Sequence, residues 1–84
     1  MVTLLYFAGL REALGASREQ IALTPDISTV SALVGQLRGR GERWSEAFAS
    51  GKPWRVAVNQ QMADLSTAIE PGDEIAFFPP VTGG

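Results

Sequence analysis

Residues 28–37, STVSALVGQL, contain the clearest helical pattern in the sequence. Apolar side chains recur there at i, i+3, i+4 and i+7, which places one apolar stripe along a helix. The residues of this stripe are Val30, Leu33, Val34 and Leu37. Ser28 or Thr29 can cap the first turn, and Gly39 and Gly41 follow the last apolar residue. The pattern predicts one amphipathic helix that needs an apolar surface to pack against.

Strand-like segments lie on both sides of this helix, and each is bounded by glycine, proline or a turn sequence. In chain order they are 2–8, 18–23, 54–58, 61–63 and 74–78. Short helical stretches are also predicted at 10–14 and at 44–48. One main helix packed on a mixed sheet of about five strands is a two-layer α+β arrangement. The order of the elements suits a ubiquitin-like β-grasp fold.

The composition excludes several classes of function. The 84 residues are 45% hydrophobic and 19% charged, which is typical of one globular domain. A net charge of −2 and the absence of a basic cluster argue against nucleic acid or a membrane as partner. The sequence has neither cysteine nor histidine, so it lacks a thiol nucleophile and the usual zinc ligands. The apolar N-terminal run is too short to span a bilayer and lacks a basic flank, so we expect a cytoplasmic protein.

The predicted sheet has two apolar faces, and one helix can cover only one of them. Strand alternation places Leu4, Tyr6, Ile75 and Phe77 on one face, which we expect beneath the helix. The opposite face would then carry Leu5, Phe7, Ala57, Ala76 and Phe78. An exposed apolar face of this kind is typical of a protein interface. The sequence also allows a second arrangement, in which 41–52, with Trp44 and Phe48, folds over that face and buries it.

The last six residues form a stiff, slender segment after the final strand. Pro79 and Pro80 cannot donate ladder hydrogen bonds, so the sheet must end at Phe78 and the chain continues in an extended form. Val81-Thr82-Gly83-Gly84 then follows without charge or bulk at its end. We therefore divide the chain into a β-grasp domain, 1–78, and an extended tail, 79–84. A terminal Gly-Gly alone is more often a frayed end or an expression scar than a functional site.

The segment 73–84, DEIAFFPPVTGG, resembles the C-terminal sequence of the small subunits of molybdopterin synthase, the MoaD family. The segments 6–15, YFAGLREALG, and 56–60, VAVNQ, are similar to the same family, and only 38–53 matches poorly. The resemblance implies that an E1-like enzyme uses ATP to adenylate Gly84. A sulfur donor protein then converts this residue to a thiocarboxylate, while Gly83 accompanies it in the partner's channel. No bound cofactor or metal is implied.

The same resemblance implies how the chain takes part in molybdenum cofactor biosynthesis. The small subunit has no catalysis of its own, and the catalytic residues lie on the large subunit of a heterotetramer. There the carried sulfur forms the dithiolene of molybdopterin from cyclic pyranopterin monophosphate. The residues that would contact the large subunit are Phe7, Phe78, Pro79, Pro80, Val81 and Thr82.

Three alternatives remain from the sequence. The first is a sulfur carrier for thiamine, cysteine or tRNA thiolation, and the second is a ubiquitin-like modifier joined to lysine amines. The third is a binding domain with an inert tail.

Overall fold

The structure is a computed structural model that describes residues 1–49 and 53–79 as one five-stranded sheet and three helices. The elements are β1 Val2–Tyr6, α1 Ala8–Leu14, β2 Arg18–Ile21, α2 Val30–Arg38, α3 Glu42–Ala47, β3 Arg55–Val58, β4 Gln61–Ala63 and β5 Glu74–Phe78. The strand order is β2-β1-β5-β3-β4. Strand β5 lies at the centre, parallel to β1 and antiparallel to β3. This mixed sheet with its helices confirms the predicted α+β arrangement.

Helix α2 is the predicted amphipathic helix, and all four residues of its apolar stripe are buried. Its first turn is capped by Thr29, whose hydroxyl accepts a hydrogen bond from the Ala32 N–H at 3.2 Å. The Val30 N–H donates to the carbonyl of Thr67 at 3.0 Å, and the Ser31 N–H donates to a carbonyl of the same segment. Backbone N–H groups at the start of α2, which have no partner within the helix, therefore donate to carbonyls of the segment that leads into β5.

The core beneath α2 is centred on the ring of Phe77. This ring stacks on Tyr6 at a centroid distance of 6.0 Å and meets Phe48 and Trp54 edge to face at 5.0 and 5.8 Å. Trp44 meets the ring of Tyr6 in turn at 5.6 Å. Residues 44 and 48 thus pack on the same sheet face as α2. The alternative in which they cover the opposite face is wrong.

The end of the first strand differs from the sequence prediction. We expected a strand over 2–8, but β1 ends at Tyr6 and α1 begins at Ala8. Phe7 keeps an extended backbone between the two, and its N–H still donates to the carbonyl of Phe77 at 3.1 Å. The chain turns at once after that bond, because Ala8 has a positive φ of 50°. Helix α1 ends at Gly15, whose left-handed conformation favours glycine.

A polar network joins β1, β2 and the connection between α2 and α3. The Tyr6 hydroxyl donates to a carboxylate oxygen of Glu19 at 2.8 Å. The Arg40 guanidinium donates to both oxygens of that carboxylate, at 2.7 and 2.9 Å, and lies 4.6 Å from the ring centroid of Trp44. The hydrogen bonds from Arg40 lower the pKa of Glu19, whereas burial and the nearby carboxylate raise the pKa of Tyr6.

Within the described ranges, no helix is long and apolar enough to cross a membrane.

Phe77 and Phe78 lie on opposite faces of the sheet, so replacing each by alanine should lower the free energy of unfolding by different amounts. Phe77→Ala should lower the free energy of unfolding by about 3–5 kcal/mol, because it opens a cavity at the centre of the aromatic core. Phe78→Ala, one residue away on the other face and only half buried, should lower it by about 1 kcal/mol. Urea unfolding of both variants measures the difference. Equal losses would contradict the assignment of faces.

The polar network predicts a stability contribution that depends on pH. Since Arg40 lowers the pKa of folded Glu19, the contribution is present above the ordinary pKa of 4.5 and is lost as the pH falls through the folded-state value. Glu19→Gln should therefore lower the free energy of unfolding at neutral pH by about 1 kcal/mol, a modest value because solvent screens this partly exposed pair. The difference from wild type should shrink in acid.

The matched control is Glu12→Gln on the exposed side of α1. Urea titrations of the wild type and both variants between neutral and acidic pH measure the effect. The assignment is refuted if Glu12→Gln shows the same loss at neutral pH, or if the Glu19→Gln loss does not depend on pH.

Candidate functional site

The sheet face opposite α2 carries a continuous apolar surface, here called the outer patch. It consists of Leu5, Phe7, Ala57, Met62, Ala76 and Phe78. The strand register aligns four of these residues in one row, because Leu5 pairs with Ala76, Ala76 with Ala57, and Ala57 with Met62. Directly paired residues share a face of the sheet. The register therefore confirms the second apolar face predicted from alternation.

Most of the outer patch is accessible. The side chains of Phe7 and Met62 are 46% and 64% exposed, and Leu5 and Phe78 are half-buried. Ala57 departs from the expected exposure, since it is nearly buried in the middle of its row. Large apolar side chains left open to solvent on one sheet face are typical of a protein contact surface. No other part of the described chain covers this face as a second layer.

Met62 is a member of the outer patch that the sequence prediction missed. Strand β4 has only three residues, which is too short for alternation to assign a face. The assignment depends on the pairing of Met62 with Ala57 in β3. The tight turn that sets this pairing is visible in the sequence at Asn59-Gln60, both with positive φ in the structure.

The outer patch extends to the point where the chain leaves the sheet. Phe78 pairs with Arg55 on one side of β5, and Phe7 lies beside it on the other, one residue beyond the Tyr6–Phe77 pair. Pro79 follows directly and is half-buried. The strand ends at Phe78, as the missing N–H of proline predicts. Two neighbouring strands thus fix the position from which the tail starts.

The structure brings together three of the predicted site residues: Phe7, Phe78 and Pro79. The other five, Pro80, Val81, Thr82, Gly83 and Gly84, lie outside the described residues. The division into 1–78 and 79–84 accordingly stays a prediction.

The polar groups at the far end of the sheet serve the turn before β5. The Asp73 carboxylate accepts hydrogen bonds from the Asn59 side-chain amide at 2.9 Å and from the Glu70 N–H at 2.8 Å. The side-chain oxygen of Asn59 in turn accepts from the Glu74 N–H at 3.0 Å. Asp73 therefore acts as a turn acid. In the described part of the chain, no group of three or more acidic side chains is placed to hold a metal ion.

The outer patch contains no acid, base or nucleophile among its six side chains. The outer patch is therefore suited to contact rather than to reaction, because burial of its apolar area against another protein would be favourable. The outer patch ends at Phe78, where the chain leaves the sheet. The five-stranded mixed sheet with the last strand at its centre defines a ubiquitin-like β-grasp protein.

The chain belongs to the ThiS family, whose sequence profile matches residues 4–84. It is similar to the molybdopterin synthase sulfur carrier subunit of Haemophilus influenzae, with 44% identity over the whole of both chains. The corresponding subunit of Escherichia coli is 40% identical, again over the whole of both chains. These similarities agree with the resemblance found in the sequence.

Solved structures share the fold. Small archaeal modifier protein 1 from H. volcanii superposes with a TM-score of 0.73 at 28% identity, over 95% of this chain and 97% of that one. A chain from the protein–protein complex of subunits 1 and 2 of molybdopterin-converting factor from Helicobacter pylori superposes with a TM-score of 0.68 at 25% identity. That match covers 99% of this chain and 97% of the other. These neighbours confirm the predicted β-grasp fold.

Proposed function

We propose that this protein is the sulfur carrier subunit of a molybdopterin synthase and acts in molybdenum cofactor biosynthesis. The observation that carries the proposal is the outer patch, an exposed apolar face that ends at the fixed exit of the tail. Identity of 44% and 40% to molybdopterin synthase sulfur carrier subunits, over their whole length, supports the same role. A carrier needs both parts: a face for docking and a slender end for delivery.

Gly84 is the residue proposed to carry the sulfur. A free carboxylate is a poor electrophile because it is anionic and has no good leaving group. Attack of the Gly84 carboxylate on ATP, catalysed by an E1-like partner, gives an acyl adenylate and releases pyrophosphate. A persulfide sulfur from a donor protein then displaces AMP, and a thiol cleaves the resulting S–S bond to leave the thiocarboxylate.

The absence of cysteine and histidine from the sequence fits this division of labour. The chain has no side chain of its own that would hold a persulfide or act as the usual general base at neutral pH. Activation and transfer therefore belong to partners, namely the E1-like enzyme, the sulfur donor and the large subunit. The carrier contributes the C-terminal carbonyl group and the surfaces that position it.

The outer patch is proposed as the surface that docks on the large subunit. Docking converts delivery of sulfur from a bimolecular encounter into a reaction within one complex. The effect depends on a fixed tail origin, which the pairing of Phe78 with Arg55 and the Phe7–Phe77 hydrogen bond provide. Pro79 and Pro80 would direct Gly83 and Gly84 away from the sheet and into the partner's channel. The thiocarboxylate sulfur then attacks cyclic pyranopterin monophosphate with the help of catalytic residues of the large subunit. Water cleaves the resulting thioester, which leaves the sulfur on the pterin and regenerates the Gly84 carboxylate.

The structural similarity to a small archaeal modifier protein favours one second candidate. In that alternative, Gly84 is activated in the same way, but a lysine amine of a target protein displaces AMP and forms an isopeptide bond. The two functions share the adenylate and differ in the final nucleophile. Finding Gly84 in isopeptide linkage in cells, with no thiocarboxylate form, would favour the modifier.

The carrier role predicts a mass change at the C-terminus. Protein isolated from a host that makes molybdopterin should show a fraction heavier by about 16 mass units, because sulfur replaces one oxygen of the Gly84 carboxylate. A variant that lacks Gly84 should show no such fraction, while its urea midpoint stays that of the wild type. Intact mass spectrometry and fragmentation of the C-terminal peptide make the measurement. A wild-type protein that never gains this mass in such a host would refute the role.

The docking role predicts that Met62 and Phe7 contribute to partner affinity. Met62→Ser or Phe7→Ser should weaken binding to the large subunit of the same organism by about 2 kcal/mol, or roughly 30-fold, because each removes an exposed apolar contact. The matched control is Leu65→Ser, since Leu65 is 49% exposed but lies near α2, where its carbonyl accepts from the Ser31 N–H. Titration calorimetry measures the affinities.

Urea unfolding should show that the Met62→Ser and Leu65→Ser variants are about as stable as the wild type, since both residues are exposed. The docking proposal fails if Leu65→Ser weakens binding as much as Met62→Ser does.

A further inference from the structure

Two arginines border the outer patch on the same face of the sheet. Arg18 of β2 pairs with Leu5, and Arg55 of β3 pairs with Phe78. Because directly paired residues share a face, both guanidinium groups extend from the side of the sheet that carries the patch. Both arginines are exposed. The single ion pair within the described part of the chain joins Arg40, in the connection between α2 and α3, to Glu19 of β2 and involves neither of them.

An acidic residue lies at the other end of this face. Glu74 is the first residue of β5 and pairs with Thr3, four residues before the Phe78–Arg55 pair. At the usual rise per residue the two ends are about 13 Å apart. The strands of this face thus carry two arginines and one glutamate, a balance of +1, on a chain whose net charge is −2. Arg55 lies at the tail exit and Glu74 lies at the opposite end of β5, whereas Arg18 lies between these two ends, at the β2 edge of the face, in the row of Leu5 and Ala76.

An apolar contact alone does not fix the direction of docking, because the hydrophobic effect depends on buried area and has no preferred orientation. The six side chains of the outer patch are all apolar, so apolar contact by itself does not distinguish one rotation about the normal of the sheet from another. Charges at the edge of an interface add the missing information, since like charges brought together cost free energy and opposite charges speed correct encounter. Arg18, Arg55 and Glu74 are placed to do this.

We propose that these three charges set the orientation in which the partner docks. The inference rests on the proposed function, in which the partner is the large subunit, and it specifies the chemistry of that subunit's docking surface. An acidic group faces Arg55 near the tail exit, a second acidic group faces Arg18 at the β2 edge of the face, and a basic group faces Glu74 at the far end. In this orientation the exit at Pro79 is directed to the partner's active-site channel.

The test measures association rates of charge-reversed variants with the large subunit at low and high salt. Arg18→Glu and Arg55→Glu should each lower the association rate constant by about three- to tenfold at low salt and reduce its salt dependence. Glu74→Arg should also lower the rate, although it makes the face more positive. The matched control is Arg38→Glu, which makes the same change of charge at an exposed residue of α2, on the other side of the sheet. It should alter the rate less than about twofold.

The outcomes separate the two proposals. If the wild type does not bind the large subunit, the proposed function itself fails. If the wild type binds and Arg18→Glu and Arg55→Glu behave like Arg38→Glu, only the charge inference fails. An increase in rate for Glu74→Arg would mean that the face merely attracts an acidic partner without orienting it, and it would also overturn the inference. Urea midpoints of all four variants exclude unfolding as the cause of any loss.

Discussion

The contact between the ring of Phe77 and its aromatic neighbours holds both layers of the molecule together. Its centroid lies 5.0 Å from that of Phe48 and 6.0 Å from that of Tyr6, so it joins the central strand to the helical layer and to β1. Because adjacent residues on a strand point to opposite faces, the burial of Phe77 places Phe78 on the outer face. The packing of Phe77 in the core thereby fixes which residues of β5 belong to the outer patch.

The helical layer is equally important for what it leaves uncovered. Trp44 and Phe48 pack on the inner face, where they complete the aromatic core, and so they are not available to cover the outer one. The network of Tyr6, Glu19 and Arg40 fastens the connection between α2 and α3 on that inner side. The outer patch is therefore open, because the aromatic residues of the helical layer pack against the other face of the sheet. A domain of this size with one main helix has too few residues to cover both faces of its sheet.

The sequence predicted the elements whose patterns are local. The apolar stripe of α2 and the end of β5 before Pro79 both depend on residues within a few positions of each other, and both are confirmed. Two other features depend on packing and pairing between distant segments: the sheet face against which Trp44 packs, and the place of Met62 in the outer patch. Local periodicity therefore did not determine them. The ion pair of Glu19 with Arg40 joins residues 21 apart in sequence, and no spacing rule indicates it. The proposed role of Gly84 came from the resemblance and from carboxylate chemistry, because the tail itself lies outside the described residues.

The parallel pairing of β1 with β5 has a consequence for how the protein is made. Thr3 pairs with Glu74, so the central contact of the sheet closes a loop of 71 residues, from 3 to 74. Contacts of such long range are slow to form, since the entropy of closing the loop is lost before the contact stabilises anything. A nascent or truncated chain without β5 lacks the middle strand, the central ring of the aromatic core and two of the six residues of the outer patch at once. The outer patch is therefore completed only when synthesis has passed β5, the strand that directly precedes Pro79.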